Sequence, residues 1–191
     1  MLSRRQTLAG LLALTPGVAW AQTPETPISV PIEIFRQKIM FDVSINGRRL
    51  RAVYDSGAAR SLLARSVAED LGLGLGGRGR ATGFGGSAEL QLARDVDAVI
   101  GGATHRFEQL VVVDLASFTA PFGREIEFIV GVDVFPQHVV DVDIAAQRLG
   151  FVERGAFAPP PNALELVLDN RANNFTTPIL INGERAQANF D

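Results

Sequence analysis

Asp55, Ser56, Gly57 and Ala58 stand directly after an alternating apolar run, Leu50, Ala52 and Tyr54. A carboxylate just past a strand end, a hydroxyl beside it and a glycine next make a tight turn. Backbone can approach the carboxylate there, and the hydroxyl can bond to its neighbours. Such a carboxylate can take a proton from water, and beside a second carboxylate the two share one proton. The triplet alone is weak. At average composition an Asp-Ser/Thr-Gly triplet arises by chance in roughly one protein in ten of this length, and a turn aspartate without chemistry is spelled the same way. Farther along, Phe128-Ile129-Val130-Gly131-Val132-Asp133 gives an apolar pair closed by glycine, which a simple bulge would also explain.

The remaining composition narrows the chemistry. The chain has 191 residues, 47% hydrophobic and 20% charged, with 19 Gly, 10 Pro and no Cys. It therefore reads as one ordinary domain with a fragment of a second, not as a disordered, collagenous or disulfide-stapled chain. Without cysteine there is no thiol nucleophile or thiolate site. Two separated histidines, His105 and His138, leave little for a metal, and no metal site is expected. A net charge of -3 argues against nucleic acid as a partner.

The elements that must position the aspartate follow from periodicity. Phe41, Val43 and Ile45 alternate, Asn46-Gly47 supplies a two-residue hairpin turn, and the alternation resumes to Asp55. Leu63, Val67 and Leu71, with Gly72 as C-cap, predict a short helix within Ser61 to Leu71. The glycine-rich stretch from Gly72 to Gly86 predicts a mobile loop or the tip of a flexible hairpin. Its G-x-G-x-x-G match follows a helix where a nucleotide fingerprint needs a strand, so nucleotide binding is rejected. Strand-like runs occupy Glu89 to Ile100, Arg106 to Leu115, Ile126 to Val130, Val139 to Ile144 and Arg148 to Val152. The fold class is mostly β: a small, closed, barrel-like lobe with one short helix.

Residues 1–21 have the layout of a cleavable export signal, with Arg4-Arg5, an apolar stretch, Pro16 and the small residues Ala19 and Ala21. Ser3 to Leu8 resembles the twin-arginine motif. The expected location is periplasmic or secreted, with no membrane attachment after cleavage. The lobe is placed at 28–155, a proline-rich linker at 156–162 and the start of a second lobe at 163–191. That second lobe rests on an internal repeat. At a constant offset of 136, Phe41 to Asp55 overlies Thr177 to Asp191 with identities at Ile45, Asn46, Gly47, Arg49, Ala52 and Asp55.

Val53-Tyr54-Asp55-Ser56-Gly57-Ala58, Thr82-Gly83-Phe84-Gly85-Gly86 and Ile129-Val130-Gly131 together resemble the retroviral-type (retropepsin-like) aspartic protease family. The resemblance covers Ile32 to Val152. It implies that Asp55 is one of two catalytic carboxylates, with Ser56 bracing the active-site loops and Gly57 and Ala58 shaping them. It also implies that Gly83, Phe84, Gly85 and Gly86 form a substrate flap, and that Ile129, Val130 and Gly131 pack beneath the active-site loop. It implies a peptide or protein substrate and no metal or organic cofactor. Serine stands where threonine is commoner and keeps the hydroxyl.

One lobe carries one aspartate, so three expectations follow. By the repeat, Asp191 is the second carboxylate of a two-lobed protease of which this is an incomplete copy. Alternatively, Asp55 faces Asp55 in a homodimer through the first lobe. In the third, the lobe is inactive and binds peptides or a periplasmic protein by strand addition.

Overall fold

A computed structural model describes residues 28–83, 86–100, 103–171 and 174–190. The signal-like segment 1–21, Phe84, Gly85 and Asp191 lie outside these residues. The chain first lays down β1 (Ile28–Pro31), β2 (Glu33–Phe35), β3 (Lys38–Ile45) and β4 (Arg48–Tyr54). β3 and β4 form the expected hairpin, with Asn46 and Gly47 both at positive φ, the conformation that lets a two-residue turn follow the strand twist.

The segment Ser61 to Leu71 holds the expected short helix, preceded by a short strand. Leu62–Ala64 is strand β5, and only Arg65–Asp70 is helix, α1. Leu62 and Leu63 are claimed by two ladders at once, parallel to Val111 and Val112 and antiparallel to Ile129 and Phe128. Ladder pairing on both sides outweighs the helical spacing of Leu63 with Val67. The helix then buries Val67 and Ala68 and stops at Gly72, which takes the left-handed C-cap conformation at φ +63°.

The glycine-rich stretch is a hairpin, β6 (Leu75–Gly83) with β7 (Gly86–Ile100), paired up to Gly83 and Gly86. Its register slips between Gly76 and Gly79, where Gly77 has φ +64°. β8 (Ala103–Val113), the single helical turn α2 (Ala116–Thr119), β9 (Phe128–Val130), β10 (His138–Asp143) and β11 (Arg148–Glu153) complete the lobe. β3, β4, β9, β5, β8 and β7 pair in succession, and β3 pairs back onto β7 through Val43–Ile45 and Ala98–Ile100. The barrel is closed by that last ladder. Its interior holds Phe41, Ile45, Leu50, Leu63, Ile100, Leu110 and Phe128, all essentially without solvent contact. A separate sheet of β1, β11 and β10 packs on this core through Leu149 and Phe151.

After the proline-rich segment come β12 (Asp169–Arg171), β13 (Asn174–Ile181) and β14 (Glu184–Asn189), which form a three-stranded sheet. The pairing of β12 with β13 reproduces that of β2 with β3 residue for residue at the offset of 136. Glu33 opposite Met40 becomes Asp169 opposite Thr176, and Phe35 opposite Lys38 becomes Arg171 opposite Asn174. Asn182 and Gly183 repeat the positive φ of Asn46 and Gly47.

Candidate active site

Strand β4 delivers Asp55, and β9 receives it. β4 and β9 run parallel, Ala52–Tyr54 against Phe128–Val130. At the end of the ladder the Asp55 backbone N–H donates to the Val130 carbonyl at 3.0 Å. The chain then turns sharply. The Gly57 N–H donates to the Asp55 carboxylate at 3.0 Å, and the Ala58 N–H donates to the Asp55 carbonyl at 3.2 Å. This is the tight Asp-x-Gly turn expected from the sequence, with the carboxylate accepting a charge-assisted bond from backbone. Asp55, Ser56 and Ala58 are half-buried, and Gly57 is exposed.

The loop that follows passes over the end of β9 so closely that Gly131 must be glycine. A Cβ there would stand 2.5 Å from the Ala58 carbonyl oxygen and 2.8 Å from that of Arg60. Val132 N–H donates to the same Ala58 carbonyl at 3.0 Å. Val130 and Gly131 thus meet the Asp55 loop backbone to backbone, and Ile129 precedes them on β9. Gly83 and Gly86 are brought together across the end of the β6–β7 hairpin, while Phe84 and Gly85 between them lie outside the described residues.

Two further residues complete the site, and sequence reasoning assigned neither a role. Ser61 is fully buried, and its hydroxyl donates to the Asp133 carboxylate at 2.6 Å while accepting from the Gly131 N–H at 3.0 Å. The Ser61 N–H donates to the other Asp133 oxygen at 2.9 Å. Arg60 reaches that same oxygen at 3.9 Å. One carboxylate thus ties the end of the Asp55 loop to the turn after β9. The signal was present in the sequence as a hydroxyl six positions after Asp55 and a carboxylate two after Gly131, but nothing local says they meet.

Tyr54 registers the charge beside it. Burial, and then the negative Asp55, push its phenol up to about 12 from the ordinary 10.0. A recess of about 690 Å³ lies elsewhere, between α1 and the α2 region, lined by Arg65, Glu69, Asp114 and Arg124 and by none of the Asp55 loop. The Asp55 loop itself is a surface feature of this lobe, braced from beneath.

A family model described as aspartyl protease matches residues 41–134, from the first long strand through the turn after β9. This stretch is similar to the aspartyl protease family. No curated protein matches the chain. Among solved structures, it is similar to the retroviral protease-like domain of Ddi1 from Leishmania major. That match has 19% identity and a TM-score of 0.41, and it covers 62% of this chain and 96% of the other. It is also similar to a retropepsin-like aspartic protease from Rickettsia conorii, at 16% identity and TM-score 0.42, covering 66% and 90%. The matched region is bounded by the elements that hold Asp55: β3 and β4 on one side, and β9 with Asp133 on the other.

Proposed function

We propose that the chain is an exported aspartic endopeptidase in which Asp55 is one of two catalytic carboxylates. The observation that carries this reading is the Asp55 turn seated on Gly131. The carboxylate is oriented by the Gly57 N–H and stands at the end of a strand, held from below by a loop crossing that only glycine permits. A half-buried carboxylate so held keeps part of its surface open, where a second can be brought against it. Two carboxylates at close range share one proton, so one can act as base on a water while the other protonates the peptide carbonyl. The activity then belongs to the pair and favours mildly acidic pH.

On this reading the second carboxylate is Asp191 of a complete second lobe, because Asp191 aligns with Asp55 in the sequence repeat and β12–β14 repeat the register of β2–β4. The homodimer, Asp55 against Asp55, is the second source of the same dyad. Ser56 braces the loops, the β6–β7 hairpin serves as flap over an extended peptide, and residues 1–21 direct export. No metal or organic cofactor takes part in this mechanism.

The deciding experiment is hydrolysis of a peptide library at pH 4 to 6, with and without pepstatin, alongside the solution mass. Pepstatin-sensitive cleavage abolished by Asp55→Asn supports the reading. Loss on Asp191→Asn in a monomer assigns the pair within one chain, and a doubled mass with Asp191→Asn active assigns the homodimer. No cleavage, with peptide binding that survives Asp55→Asn, replaces the reading with a non-catalytic peptide-binding lobe.

A further inference from the structure

His105 on β8 is 1% exposed, and its ring centroid lies 4.2 Å from that of His138 on β10. Both rings are boxed by Phe151 of β11, at 5.3 Å from His105 and 6.5 Å from His138, and Phe107 of β8 stacks beyond His105 at 6.5 Å. Both nitrogens of His105 and the Nδ1 of His138 are buried and find no hydrogen-bond partner among the described residues. Buried polar atoms of this kind are costly and rarely left in place without a reason. These imidazoles sit at the seam between the barrel and the β1–β11–β10 sheet.

We propose that His105 and His138 form an acid-sensitive latch, holding the β1–β11–β10 sheet against β8 when neutral and releasing it when protonated. Two cations at that separation in an aromatic box repel each other, and at the buried His105 little solvent is present to shield them. The charged groups around the pair do not relieve this. On β8, Arg106 points to the opposite face and is paired with Asp95 and Asp97 of β7. The register partner of His105 on β7 is Ala98, and that of His138 on β11 is Glu153. Glu153 thus stands opposite His138 in the ladder, and Ala98 opposite His105 supplies no carboxylate. Asp141 and Asp143 lie farther along β10 and are exposed.

Burial, and then the neighbouring His138, push His105 down to about 4 from 6.5. The folded state therefore binds fewer protons than the unfolded between these values. The stability contributed by the seam is whole above about 6.5 and drains as pH falls toward 4. Release has a route to the site, because β10 begins five residues after Asp133, which anchors Ser61 and the Asp55 loop.

The test is hydrogen exchange on the full chain at pH 7 and pH 4.5, corrected for intrinsic rates, with β3 and β4 as internal reference. Protection of β10 and β11 amides is expected to fall at least about tenfold relative to β3 and β4 in the native sequence. It is expected to stay within about twofold in His105→Phe, or in His138→Phe should the first variant not fold. Equal loss in all four strands, or the same selective loss in the phenylalanine variant, overturns the latch. So does an NMR titration in which both imidazoles protonate near 6.5 with β10 and β11 still protected.

Discussion

The α-carbon of Gly131 approaches the carbonyl oxygen of Ala58 so nearly that a methyl group on it would stand 2.5 Å away, inside any tolerated contact. The obstacle is backbone on both sides, Ala58 and Arg60, so no side chain can swing aside. Gly131→Ala must displace either the Asp55 loop or the end of β9. We expect a loss of about 2–4 kcal/mol in urea unfolding, of the size found when a packed site is overfilled. Unchanged unfolding would show that the crossing has room for a methyl group.

Ser61 and Asp133 should behave as one unit. Removing the hydroxyl in Ser61→Ala takes one bond from the part-buried Asp133 carboxylate and leaves the Gly131 N–H without its bond, a cost of about 1–3 kcal/mol. Asp133→Asn keeps shape but replaces a charged acceptor, and it should cost less. A double-mutant cycle read by thermal unfolding should give a coupling near 1 kcal/mol or more. Additive losses would mean that the contacts are incidental.

For the proposed activity, Asp55→Asn should lower kcat by about 10²–10⁴ with little change in thermal midpoint, as expected when a general acid-base group is lost and the fold is not. A fall in stability equal to the fall in activity would instead make Asp55 a turn residue.

Tyr54 offers a reporter, since it is the chain's one tyrosine. Its phenol is held up to about 12, so phenolate absorbance should appear well above the ordinary 10.0. Because the folded state keeps this proton longer, the associated stability is present below about pH 10 and is lost as pH rises toward 12. Burial is the larger cause, and the Asp55 charge the second. Asp55→Asn should therefore bring the midpoint down only part of the way, checked by absorbance with circular dichroism to confirm that the chain stays folded. A midpoint at 10 in the folded native chain would refute the burial of Tyr54.

The hairpin of β3 and β4 was legible because both of its determinants are local: strict alternation and an Asn-Gly turn. The Asp55 turn was legible for the same reason, and the C-cap at Gly72 followed from one residue. β5 was not, because three residues cannot show a period. Leu63 satisfies a helical spacing with Val67 that the sequence cannot know is overruled by Val112 and Phe128. β1 and β2 were unread for lack of length. Ser61 with Asp133, and His105 with His138, are meetings between distant segments. Their residue types were visible and their proximity was not. The closed barrel was legible as a class, although the pairing of β3 onto β7 that closes it was not.

The parallel alignment of β4 with β9 joins Ala52 to Phe128, and β5 lies between β9 and β8. During synthesis, the strand bearing Asp55 has left the ribosome long before its neighbour exists. Until then Leu50, Ala52 and the β5 residues have only part of their cover. Pairings of such long sequence separation are slow to form, because loop entropy is spent before any contact repays it. The brace beneath the aspartate turn therefore cannot form until Gly131 has been made, and a nascent chain that pauses before it carries the turn without that support.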